Sequence, residues 1–158
     1  MGNTIIRVFA VALTVLMSGC ATLGGNYETV SIIPEDKAVV YIYRPSRFVG
    51  SAIKPKVYAG DKLITQLVSG GYYPYFVSPG RVELWAKTEA KSSVEFLAEP
   101  GKTYFVKGTI GMGILVGRPK LEMMSADIAR EEITDCKRVP EVEGKQAMQT
   151  LQNRPARI

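Results

Sequence analysis

Short runs rich in Val, Ile, Tyr and Phe recur through this chain at intervals of about ten residues, each closed by a turn signal, and that spacing commits it to an all-β fold. Two of the closures share one chemistry. Ser78-Pro79-Gly80-Arg81 and Glu99-Pro100-Gly101-Lys102 both place Pro second and Gly third, as a type II turn requires, because its third residue has positive φ. They bracket expected strands at 82–87 and 94–98. Ahead of them, Ala38, Val40 and Ile42 alternate with Val39, Tyr41 and Tyr43, giving a strand apolar on both faces that belongs at the centre of a sheet. Pro45 ends this strand, since proline pushes Arg44 out of helical space and cannot donate to a ladder. Gly60-Asp61 joins strands at 57–59 and 63–68 as a hairpin, and further strands are expected at 72–77, 102–110 and 120–124. Ser125, with Asp127 in the first turn, opens a short helix expected to run to Asp135. About seven to eight such strands are best housed in two packed sheets, so residues 37–136 read as a small antiparallel β-sandwich with a short C-terminal helix.

The N-terminus constrains address rather than fold. Arg7 and the terminal amine precede an apolar run from Val8 to Met17, which is signal-length and short of the about 20 apolar residues a transmembrane helix needs. Leu16-Met17-Ser18-Gly19-Cys20 resembles the lipobox cut by lipoprotein signal peptidase, with Met17 where Leu is usual. Residues 1–19 are therefore read as a lipoprotein signal peptide and Cys20 as the lipidated residue. Several acyl chains hold a protein firmly on a membrane, because each buried methylene contributes about 0.8 kcal/mol. Ala21 is a neutral residue that, by resemblance to enterobacterial sorting rules, permits export; in a Gram-negative cell the expected address is the periplasmic side of the outer membrane. Residues 20–36, broken by Gly24-Gly25-Asn26 and Pro34-Glu35-Asp36, read as the lipidated cysteine and a flexible tether stretching to at most about 55 Å. Residues 137–158, polar and carrying Pro140 and Pro155, read as a disordered tail.

A formal charge of +5 is mild and suits solvated lysines, or a surface facing anionic lipids or glycan phosphates. Nucleic acid is not an expected partner in this compartment. The sequence has no histidine, which excludes a Ser-His-Asp or Cys-His arrangement and any His-ligated metal site. The carboxylate pairs Glu35-Asp36 and Glu131-Glu132 fall in a turn and on a helix, where adjacent side chains point apart. Gly111-Met112-Gly113 starts like a dinucleotide fingerprint, but its sixth position is Val116 and no βαβ unit surrounds it. The chain is thus read as a non-enzyme without cofactor or metal. Once Cys20 is acylated, Cys136 has no intramolecular partner; its spacing from Ala126, Ala129 and Ile133 puts it on an apolar helix face as a buried thiol, the alternative being a reactive or intermolecular one.

Two regions carry the binding candidates. Tyr72, Tyr73, Tyr75 and Phe76 crowd one strand, and Trp85 lies on the polar side of its own with Arg81, Glu83 and Lys87. An aromatic among charges can stack on a sugar, which gives a peptidoglycan- or lipopolysaccharide-binding alternative, although core and cross-strand packing account for such residues more simply. In Ile110 to Pro119, Gly111, Gly113 and Gly117 interrupt an apolar run, and glycine in a strand pattern marks a bulge or a close backbone approach. Turned outward, Met112 to Val116 form an apolar loop around Leu115, with Arg118 at its edge to meet an anionic group; turned inward, they plug one end of the sandwich. Side chains of this size are more often buried, so the inward course is favoured.

Tyr41-Ile42-Tyr43-Arg44-Pro45, Phe48-Val49-Gly50-Ser51, Gly71-Tyr72-Tyr73, Pro79-Gly80, Pro100-Gly101-Lys102-Thr103-Tyr104 and Met112 through Pro119 together resemble bacterial lipoproteins of domain-of-unknown-function family 2846. The resemblance spans roughly Lys37 to Cys136. It implies a β-sandwich similar to PEGA and carboxypeptidase-regulatory-like modules, and it brings no established activity or site residue. By elimination, the chain reads as a non-catalytic interaction or accessory module, held to the membrane through Cys20 and facing an envelope protein or glycan.

Overall fold

The computed structural model describes residues 23–141, so the segment read as a signal peptide, Cys20 and residues 142–158 lie outside the described residues. Nine strands and one helix are described: β1 (Ala38–Arg44), β2 (Lys56–Ala59), β3 (Lys62–Gln66), β4 (Gly71–Val77), β5 (Gly80–Lys87), β6 (Lys91–Ala98), β7 (Thr103–Gly111), β8 (Arg118–Met124), α1 (Ala126–Ile133) and β9 (Lys137–Arg138). They form a sandwich of a five-stranded sheet, ordered β8-β7-β1-β4-β9, and a four-stranded sheet, ordered β3-β2-β5-β6.

Alternation builds the space between the sheets. Ala38, Val40, Ile42, Val77, Val106 and Leu121 from the first sheet meet Val57, Ile64, Val82, Leu84, Ala86 and Ala98 from the second. The opposite parity of β1, with Tyr72, Phe105, Ala129, Ile133 and Cys136, makes a second core on the outer face of the larger sheet. Every residue of β1 is therefore buried, as a strand apolar on both faces must be. Both Pro-Gly turns have their glycine at positive φ, Gly80 at 124° and Gly101 at 70°.

Four departures from the sequence expectation concern the sheet pairing, the tether, the tail and the helix. Two pairings are parallel, β1 with β7 and β4 with β9, so the larger sheet is mixed. The segment read as a tether is packed on the domain over the residues described. Tyr27 stands edge-on to Tyr41 and Tyr72, with centroids 5.6 and 5.2 Å away, the Val30 amide donates to the Tyr41 hydroxyl at 2.6 Å, and Val30 and Ile33 pack on the second core. The tail begins as structure, since Lys137–Arg138 extends the sheet beside β4 and Val139 is buried. Finally, α1 ends at Ile133, and Cys136 lies beyond it, its amide donating to the Ile133 carbonyl at 2.8 Å. The thiol is nonetheless buried and free, and burial, with Asp135 and Glu132 nearby, pushes its pKa up to about 11.

Candidate functional site

The strand directions fix which loops share an end. β1 and β7 run in parallel, and β4 and β8 run against them, so the segment after β1, the start of β4 and the β7–β8 loop gather together. The β5–β6 hairpin joins them, because Thr88 donates its hydroxyl to the Gly117 carbonyl at 2.7 Å. We call this the loop end. The Pro-Gly turns close the opposite, turn end.

A buried cation organises the first loop. Arg44, the last residue of β1, is 3% exposed, and its guanidinium donates to the carbonyls of Ile53 at 2.7 Å, Leu67 at 2.9 Å and Gly50 at 2.8 Å. Burial lowers its pKa, yet three carbonyls aimed at its fork compensate the charge and fix the chain after Pro45 as an outward bulge. Ser69 locks the same loop from below, its hydroxyl accepting from the Arg47 amide and donating to the Arg47 carbonyl, both at 3.0 Å. Phe48, at the tip, is 96% exposed, and Val49 beside it is exposed as well.

A carboxylate organises the second loop. Glu89, in the β5–β6 hairpin, accepts from the Ile114 amide at 2.8 Å and the Leu115 amide at 3.2 Å, and the Arg118 Nε donates to it at 3.3 Å. Desolvation opposes ionisation, but the Leu115, Ile114 and Val116 amides and Arg118 outweigh it and hold the Glu89 carboxyl below the usual carboxylate range. Gly113 and Gly117 are required by this close course. A Cβ at Gly113 would collide with the Val116 carbonyl and the Glu89 carboxylate, and one at Gly117 would meet Ile110 and, at 2.8 Å, Ile53. With the backbone turned in on Glu89, the side chains point away. Met112 is 97% and Leu115 91% exposed, and Ile114 and Val116 are exposed too. The favoured inward course is thus overturned, because the loop backbone turns to the Glu89 carboxylate and its apolar side chains face away from it. The two loops abut through Ile110, whose Cβ lies 3.2 Å from where a Gly50 Cβ would stand.

Of the residues singled out by sequence, Leu115 and Arg118 come together on Glu89, and Trp85 stands apart. Trp85 lies on the outer face of β5, stacked on Tyr58 with centroids 4.3 Å apart. Its indole N–H donates to the Gly60 carbonyl at 2.7 Å, and the Lys91 ammonium sits over the ring at 5.2 Å. It works as a rivet between β2 and β5, with its donor and π-surface already engaged. Cys20 lies outside the described residues. Sequence reasoning missed Arg44 and Glu89 as organisers and Phe48-Val49 as a second apolar tip. The pair Phe48-Val49 just before Gly50 was the available signal, since two large apolar residues in a post-proline turn have no strand to belong to. Glu89 gave none.

Away from the loops, one cluster of titratable groups ties the helix to the larger sheet. The buried Tyr43 donates to Glu132 at 2.7 Å, and Lys107 pairs with the same carboxylate. Burial and this hydrogen bond raise the Tyr43 pKa, while Lys107 and Tyr43, against the opposing desolvation, lower that of Glu132. Among the described residues, no group of three or more Cys, Asp or Glu side chains is placed to hold a metal ion.

The family described as Protein of unknown function (DUF2846) matches residues 34–118. The chain belongs to this family. The matched span of the DUF2846 chain takes in both apolar loops, Arg44 and Glu89. An uncharacterized protein of Haemophilus influenzae is similar to it, with 27% identity over 136 residues, covering 81% of this chain and 80% of the relative. No solved structure matches it.

Proposed function

We propose that this DUF2846 protein is an outer-membrane lipoprotein, processed before Cys20 and anchored on the periplasmic side through acyl chains there, and that its sandwich is a non-catalytic interaction module of the cell envelope. The observation that carries the reading is the loop end itself. Two apolar tips are held outward by fixed polar contacts, Arg44 under one and Glu89 under the other, where collapse into the core would be the ordinary fate of such residues. A rigidly presented apolar surface loses little entropy when it is covered, which suits a docking role. The lipobox-like sequence ahead of Cys20 supplies the address. Intact mass of the mature protein tests the anchor: Cys20 should be the N-terminal residue and carry acyl chains, and Cys20→Ala should leave the precursor uncut. An unmodified N-terminus at another residue would end the claim. Crosslinking in intact envelopes, with phenyl-azide probes placed at Phe48 and Leu115, tests the docking role, and contacts confined to other faces of the domain would contradict it.

A further inference from the structure

From the loop end we infer a membrane-docking surface: Phe48, Val49, Met112, Ile114 and Leu115 enter the headgroup region of the same leaflet that holds the Cys20 acyl chains. The inference rests on the lipid-anchor reading and adds to it a fixed orientation of the domain on the bilayer.

The first argument is where the described chain begins. The Gly24 amide donates to the Arg138 carbonyl at 2.7 Å, and Arg138 is registered with Tyr72, the second residue of β4 and so next to the loop end. Four residues lead from Gly24 back to Cys20, and at 3.3 to 3.6 Å each they reach no more than about 14 Å. Measured along the strands, that reach takes in the level of the loop end, at the β9 edge of the sheet. It stops short of the turn end, because Val77 lies five residues beyond Tyr72, about 17 Å along the strand. Residues 24–33 are pinned by Tyr27, Tyr41 and Tyr72, so no long tether is left to let the domain stand clear of the lipid.

The second argument is chemical. Exposed cations share this end of the sandwich, Arg47 and Lys54 on the first loop and Lys137 and Arg138 on β9 beside the start of β4, while Arg118 is held at the edge of the second tip by Glu89. The neighbouring carboxylates Glu89 and Glu132 are engaged with Arg118 and Lys107, which leaves Glu131 and Asp135 as exposed acids on and just after the neighbouring helix, against the four exposed cations of the first loop and β9. Apolar side chains with a basic rim are the composition that binds an interface carrying anionic phospholipid. Leu97, also exposed at 67%, lies on β6 at the turn end and lacks this setting.

The test reads depth directly. The full-length lipoprotein is purified from membranes as single-label variants, Phe48→Cys, Leu115→Cys and Leu97→Cys, each carrying a polarity-sensitive dye; Cys136 is buried and stays unlabelled. The variants are reconstituted in vesicles of phosphatidylethanolamine and phosphatidylglycerol containing spin-labelled lipid, and the intact mass of each sample reports the acyl chains on Cys20. We expect blue-shifted emission and strong quenching at positions 48 and 115, with neither at 97. Acylated protein whose position 115 is quenched no more than position 97 overturns the docking surface and leaves the anchor standing, and this includes the case where the loops bind a protein instead. Quenching at 115 in protein without acyl chains overturns the anchor and keeps the surface. Leu115→Asp checks the mechanism, since it should abolish quenching at position 48 while the melt stays unchanged; undiminished quenching would contradict insertion of the tip.

Discussion

At one end of the sandwich the chain reverses through Pro79-Gly80 and Pro100-Gly101, turns whose shape is set by a locked φ at proline and a positive φ at glycine. At the other end it reverses through longer loops whose shape is set from outside, by a guanidinium at the end of β1 and a carboxylate in a hairpin 25 residues away along the chain. The turn end holds its conformation by local backbone chemistry and presents polar turn residues. The loop end is held by distant polar partners and is therefore free to present apolar side chains, because its stability does not depend on burying them. Loops held in place by a rigid scaffold are where binding residues commonly gather.

The largest expected effect comes from removing the cation beneath the first loop. Arg44→Ala leaves one buried and two part-buried carbonyls without their donor and should cost about 3 kcal/mol, read as a drop in melting temperature. Amides at 48–53 should lose exchange protection before those flanking the Pro-Gly turns do. Arg44→Lys should rescue only in part, because an ammonium cannot match a planar fork that serves separated carbonyls. Equal loss at both ends would erase the distinction between them.

A local lesion at the turn end should behave differently. Gly101→Ala meets open space, so its cost is conformational only, about 1 to 2 kcal/mol for a residue forced into positive φ. Chemical denaturation measures it, and the loop-end amides should keep their protection. A neutral outcome would mean that the turn is not held as described.

How much of this was legible in the chain follows the same division. The Pro-Gly turns, the double-sided apolarity of β1 and the outward parity of Trp85 are visible in sequence because each rests on a local rule, a required φ or an alternation of period two. The β1–β7 parallel pairing and the two-residue β9 are not, since neither carries a local signature and both depend on what lies beside them. The supposed tether held a signal that its glycines masked: Tyr27, Val30 and Ile33 fall at intervals of three, with Glu28, Thr29, Ser31 and the exposed Ile32 between them, and these three are the side chains packed on the second core. The course of Met112 to Val116 could not be read at all, because hydrophobicity favours burial and the group that overrides it, Glu89, is remote in sequence.

Acid should loosen the loop end selectively. The folded Glu89 carboxyl lies below its usual range, so the stability it lends is present above the ordinary glutamate value of about 4.3 and is lost as pH falls through the lower folded value. The amide shifts of Ile114 and Leu115 should titrate with a midpoint below that ordinary value and cease to titrate in Glu89→Gln. A midpoint at the ordinary value would show that the carboxylate is not the clamp.

The smallest expected change is also the most direct test, and it concerns Leu115. With its amide on Glu89 and its side chain 91% exposed, Leu115→Asp should leave the melting temperature within the reach of about 0.5 kcal/mol, the ordinary range of a surface substitution. A fall equivalent to several kcal/mol, the cost of burying a carboxylate, would mean that the loop is part of the core and that the loop end presents nothing to a membrane or partner.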